Sequence, residues 1–277
     1  MKVITLTPKK DFNLPVIGYK ISPDEFSNKT IEEIKQLPAR EGNTRKTIGD
    51  LFNVSGETVD SAKDLEIRIE GNAEKVKKIG YKMTAGKITI QGNAGFYLGD
   101  SMQNGEIEVE GDALSWLGVR MHGGKIHIHG RAGDFIGGSY RGMMLGIEQG
   151  EIIVDKDAGS YIGFWMRGGK IHIKGNTGPF AGMHMQGGQI LIEGNTGAKL
   201  GALMKKGKII LMGHTPRILP SHTFEEIKKS AKFSGIKYQG PFYLFTGDIA
   251  EDGTGKVYIN KEANPQLAFY EKYIEDI

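Results

Sequence analysis

The chain contains no cysteine. That excludes disulfides, cysteine-ligated iron–sulfur clusters and a thiolate nucleophile, and it predicts a protein of a reducing cytoplasm. An excess of one charge is lacking too. Lys and Arg number 36 against 33 Asp and Glu, a formal net charge of +3, so neither nucleic acid nor a membrane surface is expected as a partner. No stretch approaches the roughly 18 uninterrupted apolar residues of a spanning helix, and Met1-Lys2-Val3-Ile4-Thr5 opens no apolar signal region. Phosphate loops and Gly-x-Ser-x-Gly elbows are missing; Gly253-Thr254-Gly255-Lys256 is too short to be a nucleotide loop.

Glycine, by contrast, is abundant, and its 41 residues are periodic. Gly86, Gly105 and Gly124 are 19 apart; after one step of 26 residues, Gly150, Gly169, Gly188 and Gly207 resume the period of 19. A series at Gly99, Gly118, Gly137, Gly163, Gly182 and Gly201 runs in step. A fixed short period is the signature of a solenoid, whose units bury apolar faces only by stacking. These glycines are expected at φ > 0 or in corners too tight for a side chain.

Within each unit, segments such as Lys87-Ile88-Thr89-Ile90 alternate polar and apolar, which predicts short strands with the Ile pair inward. Equivalent pairs are Ile107/Val109, Ile126/Ile128, Ile152/Val154, Ile171/Ile173, Ile190/Ile192 and Ile209/Leu211, with Ile67/Ile69 as a degenerate first member. Glycines so closely spaced leave no room for helices. The predicted architecture is mainly β: a single-stranded right-handed parallel β-helix of about seven 19-residue coils over residues 65–213, with short α/β caps. Residues 1–64 form the N-terminal cap and 214–277 a tail packing back on the coils.

The outward columns carry further expectations. Lys87, Glu106, Lys125, Glu151, Lys170, Gln189 and Lys208 alternate in sign, as pairing between adjacent coils requires. A second column, Thr89, Glu108, His127, Ile153, His172, Leu191, Ile210, turns apolar and needs a cover, either the tail or a partner protein. Tyr97, Trp116, Phe135, Tyr161 and Phe180 form an aromatic ladder ending at Lys199, and Met102, Met121, Met166, Met185 and Met204 a methionine ladder. Both read first as core packing; facing outward, either becomes an adaptable protein-contact surface.

The seven extra residues of the long step fall near 139–147, a loop leaving the solenoid. Its Tyr140, Arg141, Met143 and Met144, with Trp165 and the outward Ile153, Leu191 and Ile210, are the candidate partner contacts. In the flanks, Thr30-Ile31-Glu32-Glu33 and Thr223-Phe224-Glu225-Glu226 read as capping boxes opening helices, the second continuing through Ile227 and Ala231. Phe242-Tyr243-Leu244-Phe245 and Lys256-Val257-Tyr258-Ile259 read as strands.

His127 and His129 point the same way on one strand, with His172 two coils on and His184 beside the methionine column. Such spacing does not by itself assemble a metal site, so no catalytic, cofactor-binding or metal residue is assigned. A hexapeptide acyltransferase is excluded because 19 is not a multiple of six. A polysaccharide lyase is disfavoured because acids and bases alternate and do not converge.

The repeat Gly-Gly-Lys-Ile-His-Ile-x-Gly-x-Ala/Thr-Gly, at Gly123 onward and again at Gly168 onward, resembles the glycine-repeat domain at the C-terminus of glutamate synthase. Chain length, Leu6-Thr7-Pro8-Lys9, Ile48 to Gly56 and Phe245-Thr246-Gly247-Asp248 make it more similar to the C subunit of formylmethanofuran dehydrogenase. The resemblance implies a non-catalytic cytoplasmic protein without cofactors of its own. It also implies partners: an amidohydrolase-like A subunit with a dinuclear metal site, B and D subunits holding tungstopterin or molybdopterin, and ferredoxin-like subunits with iron–sulfur clusters. Two alternatives stay open, the C subunit of a formyltransferase/hydrolase complex and a structural subunit of the glutamate synthase type.

Overall fold

A computed structural model describes residues 1–273, so the last four residues of the predicted tail lie outside it. The core is a 13-stranded, mostly parallel sheet. Its central members are Leu65–Ile69, Lys87–Ile90, Glu106–Val109, Lys125–Ile128, Glu151–Val154, Lys170–Ile173, Gln186–Ile192 and Lys206–Leu211, each parallel to the next. Register is strict: Ile88, Ile107, Ile126, Ile152, Ile171, Ile190 and Ile209 stand side by side and are fully buried. A second line of parallel bridges, Ala73 to Ala94, Ala113, Ala132 and Ala158 and then Thr177 to Thr196, repeats the spacing on another side of each unit.

The sheet is extended at both ends by flanking chain. Lys2–Pro8 lies parallel to Leu65–Ile69 and antiparallel to Phe52–Gly56. At the other end, Gly255–Asn260 continues the parallel stack beside Lys206–Leu211 and is followed by Ile236–Gly247 and Thr223–Phe233. A smaller sheet joins Thr44–Thr47, Pro38–Glu41, Val16–Ile17 and Val76–Lys77.

The expected helix at Ile31–Lys35 is present, with both hydrogen bonds of the Thr30/Glu33 capping box. The expected helix at Thr223 is not. Thr223–Phe233 is an 11-residue strand of a long hairpin with Ile236–Gly247. Thr223, Glu226, Ile227 and Ala231 satisfy a helical pattern, but pairing with an aromatic-rich strand satisfies the same backbone and overrides the local preference. Irregularities at Phe224/Glu226 and Lys228/Ser230 interrupt its register. Its tip lies on the outward face of the main sheet, where Ala231, Phe233 and Phe242 pack on Leu191 and Ile210. The tail therefore covers these two candidates, which are fully buried; only a partner displacing the hairpin would touch them.

The alternating charge column is in register but does not pair along itself among the described residues. Lys87 Nζ reaches diagonally to Glu108 Oε2 at 2.8 Å. Lys170 Nζ is 2.7 Å from Ser234 Oγ, and Lys208 Nζ is 3.1 Å from the Lys232 carbonyl. A lysine stem spans more than one strand spacing, so the hairpin tip and the diagonal neighbour supply better acceptors.

The methionine ladder faces inward. Met83, Met102, Met121, Met166, Met185 and Met204 are all fully buried, and Ile147 takes the position in the interrupted repeat. The interior is narrow. At Gly118, φ is +61° and an added Cβ would lie 2.5 Å from Ile152 Cδ1; at Gly182, φ is +73° and the distance to Ile209 Cδ1 would be 2.3 Å. Both expected reasons for glycine, left-handed backbone and lack of space, hold at these corners.

Candidate functional site

The aromatic ladder runs along the outer surface. Tyr97, Trp116, Phe135, Tyr161 and Phe180 are half-buried, and each has φ between +60° and +67°. That backbone costs a bulky L-residue about 1–2 kcal/mol. Corner hydrogen bonds fix it: Trp116 N–H donates to the Asp134 carbonyl at 2.8 Å and Phe135 N–H to the Ser160 carbonyl at 2.9 Å. The rings stack, with centroids 4.2 Å apart for Trp116–Phe135 and 4.8 Å for Phe135–Tyr161 and Tyr161–Phe180. Lys199 closes the ladder with its ammonium 4.8 Å from the Phe180 ring centre.

The insertion loop leaves the same side. Ser139, fully buried, organises it by donating from Oγ to the Met143 carbonyl (2.6 Å) and accepting from Leu145 N–H (3.1 Å). Tyr140 folds back, stacking on Tyr97 at 5.7 Å and donating its hydroxyl to buried Asp100. Burial and the Asp100 carboxylate push the Tyr140 phenol far above its ordinary range. Asp100 is paired with Lys78 Nζ at 3.0 Å and accepts a hydrogen bond from Ser101 Oγ at 2.8 Å. Two small clefts flank Tyr140: about 260 Å³ toward Arg120 and His122, and about 350 Å³ between Tyr97, Trp116 and Arg141.

Beyond this anchor the loop turns its apolar residues out. Met143 is 46% and Met144 61% exposed, and Arg141 is exposed beside them. Trp165 is half-buried, stacked on His184 at 4.2 Å and 3°; Ile153 is half-buried on the sheet face. The structure thus brings Tyr140, Arg141, Met143 and Met144 together near the ladder and leaves Leu191 and Ile210 under the hairpin.

The sheet face also holds a cluster built on His127 and His129, in which the partners contributed by the neighbouring strands are Glu108 and Asp155. His129 places Nε2 3.0 Å from Glu108 Oε1 and Nδ1 2.8 Å from Asp155 Oδ2, while His127 Nε2 is 3.0 Å from the same Asp155 oxygen. Hydrogen bonds from Lys87 and His129 hold the Glu108 carboxyl down at about 2. Burial opposes ionisation of Asp155, yet hydrogen bonds from Lys174, His127 and His129 outweigh it and keep its pKa well below the usual carboxylate range. Glu108 and Asp155 in turn raise the pKa of His129. Register carried one position past each inward pair aligns His129 with Asp155, and that was the available signal.

One further histidine is buried. His222, 4% exposed, lies against Gly201 and Gly247 with both ring nitrogens lacking hydrogen-bond partners among the described residues. Desolvation lowers its pKa.

Comparison with known proteins gives three findings. The model of the family described as GXGXG motif matches residues 59–231. The chain is 43% identical over 99 residues to the C subunit of the tungsten-containing formylmethanofuran dehydrogenase 2 of Methanothermobacter marburgensis, 36% of this chain and 37% of that one. It is 38% identical over 98 residues to the C subunit of the molybdenum-containing formylmethanofuran dehydrogenase 1 of Methanosarcina barkeri, 35% of this chain and 33% of that one. These alignments span about a third of the relatives' length. Among solved structures, a chain of the formyltransferase/hydrolase complex from Methylorubrum extorquens, crystallised with methylofuran, superposes with a TM-score of 0.82 at 26% identity, covering 92% of this chain and 99% of that chain.

Proposed function

The chain belongs to the GXGXG motif family, and on that premise we propose that it is the non-catalytic C subunit of a formylmethanofuran dehydrogenase complex. In this reading it is a right-handed parallel β-helix, capped by residues 1–64 and 214–277, that holds partner proteins in place. The partners are an amidohydrolase-like A subunit, pterin-binding B and D subunits, and ferredoxin-like subunits. They carry the dinuclear metal site, the tungstopterin or molybdopterin and the iron–sulfur clusters, and the complex reduces CO2 and condenses it with methanofuran in the cytoplasm.

The observation that carries the reading is the loop bearing Met143 and Met144, anchored by Ser139 and Tyr140 and exposed beside a half-exposed aromatic ladder. An adaptable apolar surface held on a rigid scaffold is what contact between subunits requires. The similarity to C subunits of both tungsten and molybdenum forms supports the choice of complex. A second reading, the C subunit of a formyltransferase/hydrolase complex, is favoured by the structural likeness over 92% of the chain.

The test is affinity capture of this chain from its native host at low salt, with mass spectrometry of what comes with it. A pterin-binding redox chain and ferredoxin-like chains support the first reading, and a formyltransferase chain the second. Met143→Asp with Met144→Asp is expected to lower complex yield while leaving the thermal melt of the isolated chain unchanged. Unchanged yield would refute the docking role of the loop.

A further inference from the structure

The Glu108–His127–His129–Asp155 cluster lies on the solvent face of three consecutive strands and takes no part in the contacts proposed above. Glu108 and His127 face each other across the register, and Asp155 follows Val154 as His129 follows Ile128. The two imidazole rings stand 4.1 Å apart between centroids. One ligand atom from each of Glu108, His127 and His129 lies within 4.8 Å of the others.

The lysines around the cluster orient it. Lys87 holds Oε2 of Glu108, leaving Oε1 facing His129 Nε2. Lys174 Nζ sits 2.7 Å from Oδ1 of Asp155, leaving Oδ2 facing the two imidazoles. Each carboxylate is thus clamped through its outer oxygen and aims the inner one at histidine. Both nitrogens of His129 face carboxylate oxygens, one from Glu108 and one from Asp155.

We infer that Glu108, His127 and His129 form a binding site for a divalent first-row transition ion of the zinc class, with Asp155 orienting His129. Two imidazole nitrogens and a carboxylate suit Zn²⁺, whereas Mg²⁺ and Ca²⁺ favour all-oxygen sets. Tetrahedral bonds of about 2.1 Å separate ligand atoms by roughly 3.4 Å, close to the 3.0 Å between His129 Nε2 and Glu108 Oε1. The ion takes the place of the His129 Nε2 proton, which is released to solvent. Asp155 keeps the Nδ1–H bond of His129, the carboxylate–histidine–metal arrangement that fixes ring orientation. His127 turns Nε2 from Asp155 to the ion, and water fills the fourth position. Bound there, the ion ties together two successive repeats, and Asp155 joins the third through His129, on a face that the hairpin leaves open.

The test uses the full chain without a histidine tag, stripped with chelator and titrated with ZnCl2 by calorimetry, then with CoCl2 followed by visible absorption. One ion per chain is expected, with Co²⁺ giving the intense bands of a four-coordinate site. His127→Ala and His129→Ala should each weaken binding at least tenfold, and the double variant should abolish it. Asp155→Asn should weaken binding about 10–100-fold while keeping the stoichiometry. Melts of the metal-free variants check that they remain folded. No saturable binding at millimolar Zn²⁺ would overturn the inference, as would equal affinity in the folded double variant.

Discussion

Replacing Gly118 by alanine tests the account of the corners most directly. The residue has φ +61°, and the new Cβ would sit 2.5 Å from Ile152 Cδ1. A left-handed non-glycine residue costs about 1–2 kcal/mol. Forcing a methyl into a filled core adds about 1–3 kcal/mol. The sum, about 2–5 kcal/mol, is a large part of the roughly 5–15 kcal/mol that holds a domain together. Urea titration and thermal melting of the full chain should show it, with a melting shift of about 2–4 °C per kcal/mol at this size. The aromatic corners supply the internal control. Trp116 has φ +67° with its side chain on the outer surface, so Trp116→Gly should be more stable than Trp116→Ala by about 1 kcal/mol. Alanine is thus the worse residue at both corners, for two reasons at one and for a single reason at the other. The reasoning is refuted if Gly118→Ala melts within about 1 °C of wild type or if Trp116→Gly is the less stable of its pair.

Three further outcomes follow from the packing and the charges. Phe233→Ala, which removes the hairpin's hold on Leu191 and Ile210, should cost about 3–5 kcal/mol and increase binding of a dye that reports exposed apolar surface. His222 has a folded pKa below its unfolded value, so its contribution is present above pH about 6.5 and is lost as pH falls through the folded pKa; in His222→Leu, the loss of stability measured by urea titration between pH 7 and 5 should be shallower. The Glu108 pKa is depressed from 4.5 to about 2, so its contribution is present above about 4.5 and lost as pH falls through about 2. After solvent screening it is on the order of 1 kcal/mol, and Glu108→Gln should show that deficit at neutral pH and converge with wild type in acid melts.

The central strands were legible because two signals coincided: alternation set the faces and the 19-residue glycine spacing set the register. Ile107 and Ile126 are neighbours in space because a fixed repeat carries the chain back to the same point. The hairpin at Thr223–Phe233 was not legible, since its strand character comes from Ile236–Gly247 and nothing local distinguishes it from an amphipathic helix. Exposure of the aromatic ladder was equally hidden. Side-chain direction at φ near +60° follows from a backbone state that aromatic residues rarely adopt. The histidine cluster lay within reach, because removing the seven-residue insertion brings Asp155 opposite His129; the first two outward columns alone do not contain that pair.

The ladder and the glycine corners raise the same structural problem and solve it differently. Both columns require φ near +60°, but only at the glycines does the core forbid a side chain. At Trp116, Phe135, Tyr161 and Phe180, glycine would relieve about 1–2 kcal/mol of backbone strain per residue. Stacking returns about 0.5–1.5 kcal/mol per pair, and three pairs set against four strained residues leave the backbone cost only partly offset within the isolated chain. Stability alone therefore does not account for a column of four aromatic rings 4.2 to 4.8 Å apart on a half-exposed edge. Strain held at a surface points to use of that surface. Truncating Phe135 and Tyr161 to glycine separates the two roles: the melt should move by no more than about 3 kcal/mol in either direction, while recovery of partner proteins falls. A large loss of stability with undiminished assembly would make the ladder a folding device and remove it from the interface.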